Sequence, residues 1–185
     1  MESNTPQPPT YIPDLPPEPP QWPKVVGIIS ICWGGLNLLC NACMPVLPKF
    51  FESFMPPDAQ GMPMFPKGPM VWIAVTGGVL ACLICITAGA LSISRNPATR
   101  PLHLAYGIIA IIITIFGTYM NLDFQKTQRQ WIADNPDNNF AKQMSHPSQA
   151  SFNVIGLAFG VAYGTAYPIF CIAWYGAVKR KAPLA

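Results

Sequence analysis

Four stretches of the 185-residue chain contain no Asp, Glu, Lys or Arg. They are residues 25–48, 68–94, 101–122 and 143–178. An α-helix rises about 1.5 Å per residue, so roughly 20 apolar residues cross a hydrocarbon core about 30 Å thick. Each stretch holds an apolar run of that length, which excludes both a single soluble core and a disordered chain. The pattern predicts an all-α fold, a four-helix transmembrane bundle, with the lipid bilayer as its surroundings.

The predicted bundle occupies residues 24–181, between a tail of residues 1–23 and a short C-terminal tail, 182–185. Nine prolines lie in the first 23 residues, and each fixes φ and lacks a backbone N–H. That tail is therefore expected to be a disordered, extended cytoplasmic arm. The spans are predicted at about 25–44, 69–94, 101–121 and 152–178, where prolines and polar residues end the apolar runs.

Lysine and arginine are denser on the side of the termini than on the other side, where they are spread over two longer connections. On the terminal side they are Lys24, Arg95, Arg100, Lys179, Arg180 and Lys181. Because cytoplasmic loops carry the excess of Lys and Arg, both termini are expected in the cytoplasm, and the protein in the cell membrane.

Small residues recur four apart on two of the predicted spans. They are Gly156, Gly160 and Gly164 on span 4, and Gly77, Ala81, Cys85 and Gly89 on span 2. In lipid no hydrophobic effect drives helices together, so close backbone contact at small residues takes its place. These stripes are predicted to pack the spans within one bundle, with a dimer seam on span 4 as the alternative. Pro168, one turn after Gly164, is expected to kink that span.

His103 is the only acidic or basic side chain inside a predicted span. Intramembrane charges usually mark ion pathways and proton relays. Small four-span multidrug exporters need a membrane-embedded glutamate, which these spans lack, so proton-coupled transport is disfavoured. His103 follows Pro101 by two residues and is interpreted as a polar side chain at the interface. The other histidine, His146, lies in a polar loop, so no Ser–His–Asp triad is indicated.

The pair Cys40-x-x-Cys43, near the end of a span, resembles the pair of quinone-dependent disulfide oxidases, which also have four spans. The chain departs from that family because residues 122–151 contain no second cysteine pair. A cysteine pair at a helix C-terminus also lacks the dipole that stabilises thiolate. A second pair, Cys82 and Cys85, lies too deep in span 2 to share one zinc ion with the first pair, since all four sulfurs would have to lie about 2.3 Å from it.

Methionines cluster beside the first cysteine pair, in and around the connection between spans 1 and 2. They are Met44, Met55, Met62, Met64 and Met70. Thioether and thiolate ligands select copper(I), so Cys40, Cys43, Met62 and Met64 are the candidate metal ligands. The same methionines, among phenylalanines and prolines, are also typical of a segment that lies in the membrane interface, and on that interpretation no metal or cofactor is expected.

The opening of span 1, Trp22-Pro23-Lys24-Val25-Val26-Gly27, together with the proline-rich tail, resembles small uncharacterised bacterial four-span integral membrane proteins. That resemblance implies membrane location and no activity. The favoured function is a non-enzymatic accessory or scaffold component that associates with a membrane protein or with itself. The alternative is extracytoplasmic thiol-redox or copper chemistry at Cys40, Cys43 and the loop methionines.

Two further features bear on possible partners. The net charge is only +3 and thinly spread, which disfavours binding to nucleic acid. The tail segment Pro8-Pro9-Thr10-Tyr11 fits the PPxY pattern read by WW domains.

Overall fold

The computed structural model describes residues 21–59 and 61–177, and this part of the chain is helical with no strand. Its helices are α1 (Trp22–Cys43), α2 (Leu47–Glu52), α3 (Pro69–Ile93), α4 (Thr99–Asp134), α5 (Asn139–Met144) and α6 (Pro147–Ala177), with one 3₁₀ turn at Pro57–Ala59. The predicted all-α class is confirmed for these residues. By length and composition α1, α3, α4 and α6 can each cross a membrane, which is consistent with a membrane protein.

Most of the predicted proline-rich tail, including Pro8-Pro9-Thr10-Tyr11, lies outside the described residues, and so does the basic segment Lys179–Lys181. Helix α1 begins at Trp22, so the last two residues predicted for the tail are helical. Pro23 occupies the first turn of α1. A proline is accepted there because the N–H it lacks would have no partner within the helix.

Helix α4 continues far beyond the predicted end of span 3 at residue 121. Its 36 residues run to Asp134, a length of roughly 54 Å, well above the thickness of a hydrocarbon core. Residues 122–151, which connect predicted spans 3 and 4, were expected to form a polar loop, but 122–134 are helical. No Pro or Gly interrupts the chain until Asn135-Pro136, and the residue before a proline is the usual place for a helix to end.

The long helices pack in sequence order, α1 on α3, α3 on α4 and α4 on α6. Helices α1 and α3 are antiparallel and very close. A Cβ added to Gly27 would lie 2.6 Å from the Gly89 carbonyl oxygen, and one added to Gly78 would lie 2.5 Å from Asn41 Oδ1. The two backbones therefore meet at glycines, as lipid-embedded helices do when packing and not hydrophobicity holds them together.

The start of α1, the α3–α4 turn and the end of α6 come together at what we call the terminal end of the bundle. There the rings of Trp22 and Trp174 are 5.7 Å apart, and Arg100 Nε donates to the Tyr175 carbonyl oxygen at 2.9 Å. The connections around α2 and α5 lie at the opposite end, which we call the loop end. This arrangement places the first and last described residues on one side.

Candidate functional site

Hydrogen-bonding side chains inside the terminal half of the bundle form one buried polar cluster. Its members are Ser30 of α1, Ser92 of α3, His103 of α4, and Tyr167 and Tyr175 of α6. Ser30 Oγ lies 2.9 Å from His103 Nε2 and 2.6 Å from the Tyr167 hydroxyl. Ser92 Oγ donates to the Pro23 carbonyl oxygen at 2.8 Å and lies 3.5 Å from the Tyr175 hydroxyl. The cluster thus joins all four long helices.

The His103 side chain is completely buried, with 0% exposure, and is not an exposed polar side chain of the kind predicted for the interface. Its ring stacks on Tyr175 at 4.3 Å, and Nδ1 lies 2.9 Å from the Thr99 carbonyl oxygen. Since a carbonyl only accepts, Nδ1 carries the proton and Nε2 is left as an acceptor beside the Ser30 hydroxyl, whose single proton is shared between Nε2 and the Val26 carbonyl oxygen. Its partner Ser30 is 73 residues away in sequence, so only the rarity of a histidine in an apolar span could have signalled a buried role.

Ser30 and His103 are as close as a catalytic nucleophile and its base, but neither side chain is accessible to a substrate. Both side chains are 0% exposed, so no substrate reaches them in this conformation. The Ser30 hydroxyl is also 2.8 Å from the Val26 carbonyl oxygen of its own helix, and the Tyr167 hydroxyl occupies its other side. What this geometry does is connect α1 to α4 and α6, which makes the cluster a packing element.

A groove between α4 and α6 runs along the loop-end half of these helices, with a volume of about 530 Å³. This α4–α6 groove is lined on α4 by Thr114, Gly117, Thr118, Asn121, Phe124, Gln125 and Gln128, and on α6 by Phe152, Asn153, Gly156, Leu157, Gly160, Val161 and Gly164. A Cβ added to Gly117, Gly156 or Gly160 would meet nothing within 4 Å. Three glycines therefore form an open floor in the groove.

The three glycines of the predicted stripe on span 4 therefore differ in their contacts. Gly164 packs within the bundle, since an added Cβ would lie 2.9 Å from Thr114 Oγ1. An added Cβ at Gly156 or Gly160 would meet nothing within 4 Å, so the close helix approach predicted at these two glycines is not seen within the described chain. The stripe on span 2 faces the interior of the bundle, because Ala81 and Cys85 are buried. Its end members contact neighbours too, Gly89 against α1 and Gly77 against α4.

A second cavity, of about 780 Å³, lies at the loop end between the α2 connection and the outer part of α4. Four of the methionines singled out from the sequence line it, namely Met55, Met62, Met64 and Met70, and Met120 of α4 adds a fifth. Sequence reasoning missed Met120 because it lies in a predicted span, far along the chain. Met44 is not part of this lining.

The cysteines are not brought to that cavity. Cys40 and Cys43 are exposed free thiols on α1, whereas Cys82 and Cys85 are buried in α3. Cys85 Sγ donates to the Ser30 carbonyl oxygen at 3.3 Å, next to the polar cluster. Within residues 21–59 and 61–177 no three His, Cys, Asp or Glu side chains group as metal ligands. The predicted set of Cys40, Cys43, Met62 and Met64 is therefore split between α1 and the cavity.

Comparison of the chain with protein-family models, with curated proteins and with solved structures finds no match in any of the three. The class that the structure itself defines is a helical protein whose four long helices are apolar enough to span a membrane. A finer function is therefore inferred from the grooves and clusters of this chain alone.

Proposed function

We propose that this chain is a non-enzymatic multi-pass membrane protein that acts by association, as an accessory or scaffold subunit. Its docking site is the α4–α6 groove, and the occupant is a transmembrane helix of a partner protein. One observation carries the proposal: Gly117, Gly156 and Gly160 form a floor that no side chain of the described chain covers.

The physical basis is how helices associate in lipid. Apolar side chains gain little by leaving lipid for a protein surface, so close packing at small residues and hydrogen bonds supply the stability. This kind of packing already occurs within the chain at Gly164, where Thr114 of α4 lies directly against the glycine. Gly156 and Gly160 continue the same face of α6 without a neighbour, so a further helix can approach there as closely.

The walls of the groove add a polar contribution that a lipid tail cannot match. Asn121 and Gln125 are hydrogen-bonded to each other at 2.8 Å, and the Thr118 hydroxyl donates to the Thr114 carbonyl oxygen. Asn153 lies across from them on α6. Side chains of this kind hydrogen-bond across helices in membranes, each contributing about 0.6 kcal/mol on average. A helix with Ser, Thr or Asn on one face fits this groove.

A matched pair of glycine variants tests the proposal. Gly160→Leu fills the groove, and Gly35→Leu adds the same bulk on α1; an added Cβ at either position meets nothing within 4 Å, so both variants are expected to fold. Tagged protein is crosslinked in its native membrane, purified and examined by mass spectrometry. A stoichiometric partner that is retained by Gly35→Leu and lost by Gly160→Leu supports the proposal.

Other results of the same experiment contradict it. If wild-type protein is recovered without a stoichiometric partner, or if both variants keep the partner, the groove is not a docking site for a partner protein. Recovery of a crosslinked homodimer that only Gly160→Leu abolishes would replace the partner helix with α6 of a second copy. Thermal unfolding of both variants in detergent shows whether a loss of association is merely a loss of fold.

A further inference from the structure

The loop-end cavity gathers methionines from segments that are far apart in the sequence. Five of the eight methionines of the chain line it, although Met55, Met62 and Met64 belong to the α2 connection, Met70 to the start of α3, and Met120 to α4. Methionine is suited to filling irregular apolar space, but five methionines on one cavity also present a set of soft sulfur donors to a ligand.

The segment that carries Met62 and Met64 is hydrogen-bonded to α4 at Pro63. Gln128 Nε2 donates to the Pro63 carbonyl oxygen at 3.2 Å, between Met62 and Met64. The Met62 N–H donates to the Ala59 carbonyl oxygen at 3.2 Å, and the Met62 side chain is only 6% exposed. The hydrogen bond from Gln128 holds this segment against α4. The five methionines thus line one cavity, although Met120 comes from a distant part of the chain.

The chemistry of the lining selects a class of ligand. A thioether is a neutral, soft donor that prefers copper(I) to magnesium, calcium or zinc. The methionine side chain is unbranched and has three rotatable bonds, so several sulfurs can converge on one ion. Glu52 and Asp123 also line the cavity, against one lysine, Lys67. That balance favours a cation over an anion.

We propose that the loop-end cavity is a binding site for a monovalent soft metal ion, copper(I), with thioether ligands drawn from Met55, Met62, Met64, Met70 and Met120. The exposed cysteines of α1 are not part of this site. The proposal goes beyond helix association and does not depend on it, because the cavity and the α4–α6 groove share only Phe124 among their lining residues, and none of the five methionines lines the groove. Glu52 and Asp123 attract the cation, and the methionines bind it.

The test uses the full chain in detergent, with accessible thiols first alkylated by N-ethylmaleimide so that cysteines do not bind the metal. Copper(I) is titrated anaerobically against a chromophoric copper(I) chelator. We expect one copper(I) ion per chain. In the variant with Met62→Leu, Met64→Leu and Met120→Leu, affinity should fall by more than the roughly 10- to 100-fold that loss of a supporting partner costs a metal site. Leucine keeps the apolar volume and removes only the sulfur.

Met44→Leu with Met144→Leu is the matched control, since neither methionine lines the cavity. This control variant should bind copper(I) as the wild type does. Binding that is equal in all three proteins, or absent from the alkylated wild type, would overturn the proposal. An apolar fluorescent dye is titrated in parallel. If wild type and the triple variant bind the dye equally and neither binds copper(I), the cavity is an apolar ligand site instead.

Discussion

The Thr114 hydroxyl of α4 lies 3.2 Å from the Gly164 carbonyl oxygen of α6, the carbonyl that Pro168 leaves without its helical donor. A proline has no N–H to give to the residue four positions before it. In a membrane an unsatisfied carbonyl is costly, and a hydroxyl from a neighbouring helix is one way to satisfy it. Thr114 also donates to the Ala110 carbonyl oxygen at 2.8 Å, so its proton is shared between two helices.

Replacing Thr114 by Val should therefore destabilise the bundle by about 0.5–1.5 kcal/mol, the usual net contribution of one hydrogen bond. Thr118→Val is the control, because the Thr118 hydroxyl donates only within α4, to the Thr114 carbonyl oxygen. Unfolding in mixed micelles of detergent and SDS measures both. Equal stability of the two variants would show that the contact with Gly164 contributes nothing.

Ser30→Ala should destabilise the bundle more than Thr114→Val does, with a loss of about 1–3 kcal/mol in the free energy of unfolding. The reason is that it removes one hydrogen-bonding partner from each of two buried groups. His103 Nε2 and the Tyr167 hydroxyl would both lose the Ser30 oxygen that they contact at 2.9 and 2.6 Å. The same micelle unfolding measures the loss. Thr87→Val is the control, since the Thr87 hydroxyl is exposed and bonds only within α3.

A double-mutant cycle checks that Ser30 and Tyr167 act together. If they do, adding Tyr167→Phe to Ser30→Ala should destabilise by less than the sum of the single changes, as residues in one network do. Strict additivity of the two losses would mean that the hydroxyl pair is not coupled, and the role of the cluster in joining α1 to α6 would have to be abandoned.

Gly89→Ala should weaken the α1–α3 contact by about 1–3 kcal/mol, the range for added volume in a well-packed core. The new methyl group would lie 2.7 Å from the Gly27 carbonyl oxygen, an atom of the backbone that cannot turn away. Gly35→Ala has open space and should leave unfolding unchanged or raise stability slightly, because alanine favours helix. A neutral Gly89→Ala would mean that the helices are further apart than this contact requires.

Thiol labelling tests the proposed orientation. Cys43 ends α1 at the loop end and is exposed, whereas Cys171 is buried near the terminal end. If both termini are cytoplasmic, a membrane-impermeant maleimide added to intact cells should label Cys43 and not Cys171. Cys32 is exposed on the flank of α1 yet lies mid-helix, so lipid should protect it. Labelling of Cys43 only after the cells are opened would reverse the orientation.

Much of the architecture could be predicted from the four stretches of sequence that lack Asp, Glu, Lys and Arg. Trp22–Cys43, Pro69–Ile93 and the first part of α4 fall close to the predicted spans because apolar length and flanking prolines act locally. The extension of α4 to Asp134 was missed, since a polar helix has no apolar run to mark it. That segment is held in part by tertiary contacts, such as Gln128 to the Pro63 carbonyl oxygen.

The glycine spacing on span 4 likewise did not predict which glycines pack against a neighbouring helix. A four-residue spacing marks Gly156, Gly160 and Gly164 as one stripe, but spacing cannot reveal which glycine meets a neighbour. The structure seats Thr114 on Gly164 and leaves the other two open. Helices α4 and α6 are in close contact at Gly107 and Gly164, whereas an added Cβ at Gly156 or Gly160 meets nothing, so the separation of the two helices along their length decides which glycines are covered.

The helical class of the described chain and its four apolar helices could be predicted from local patterns, because helix formation and hydropathy depend on neighbouring residues. The burial of His103 with Ser30, which also contacts Tyr167, and the presence of Met120 beside the loop methionines became evident from the folded structure. Each of these contacts joins side chains from different helices or connections. The packing of the helices brings them together, and no local pattern in the sequence records it.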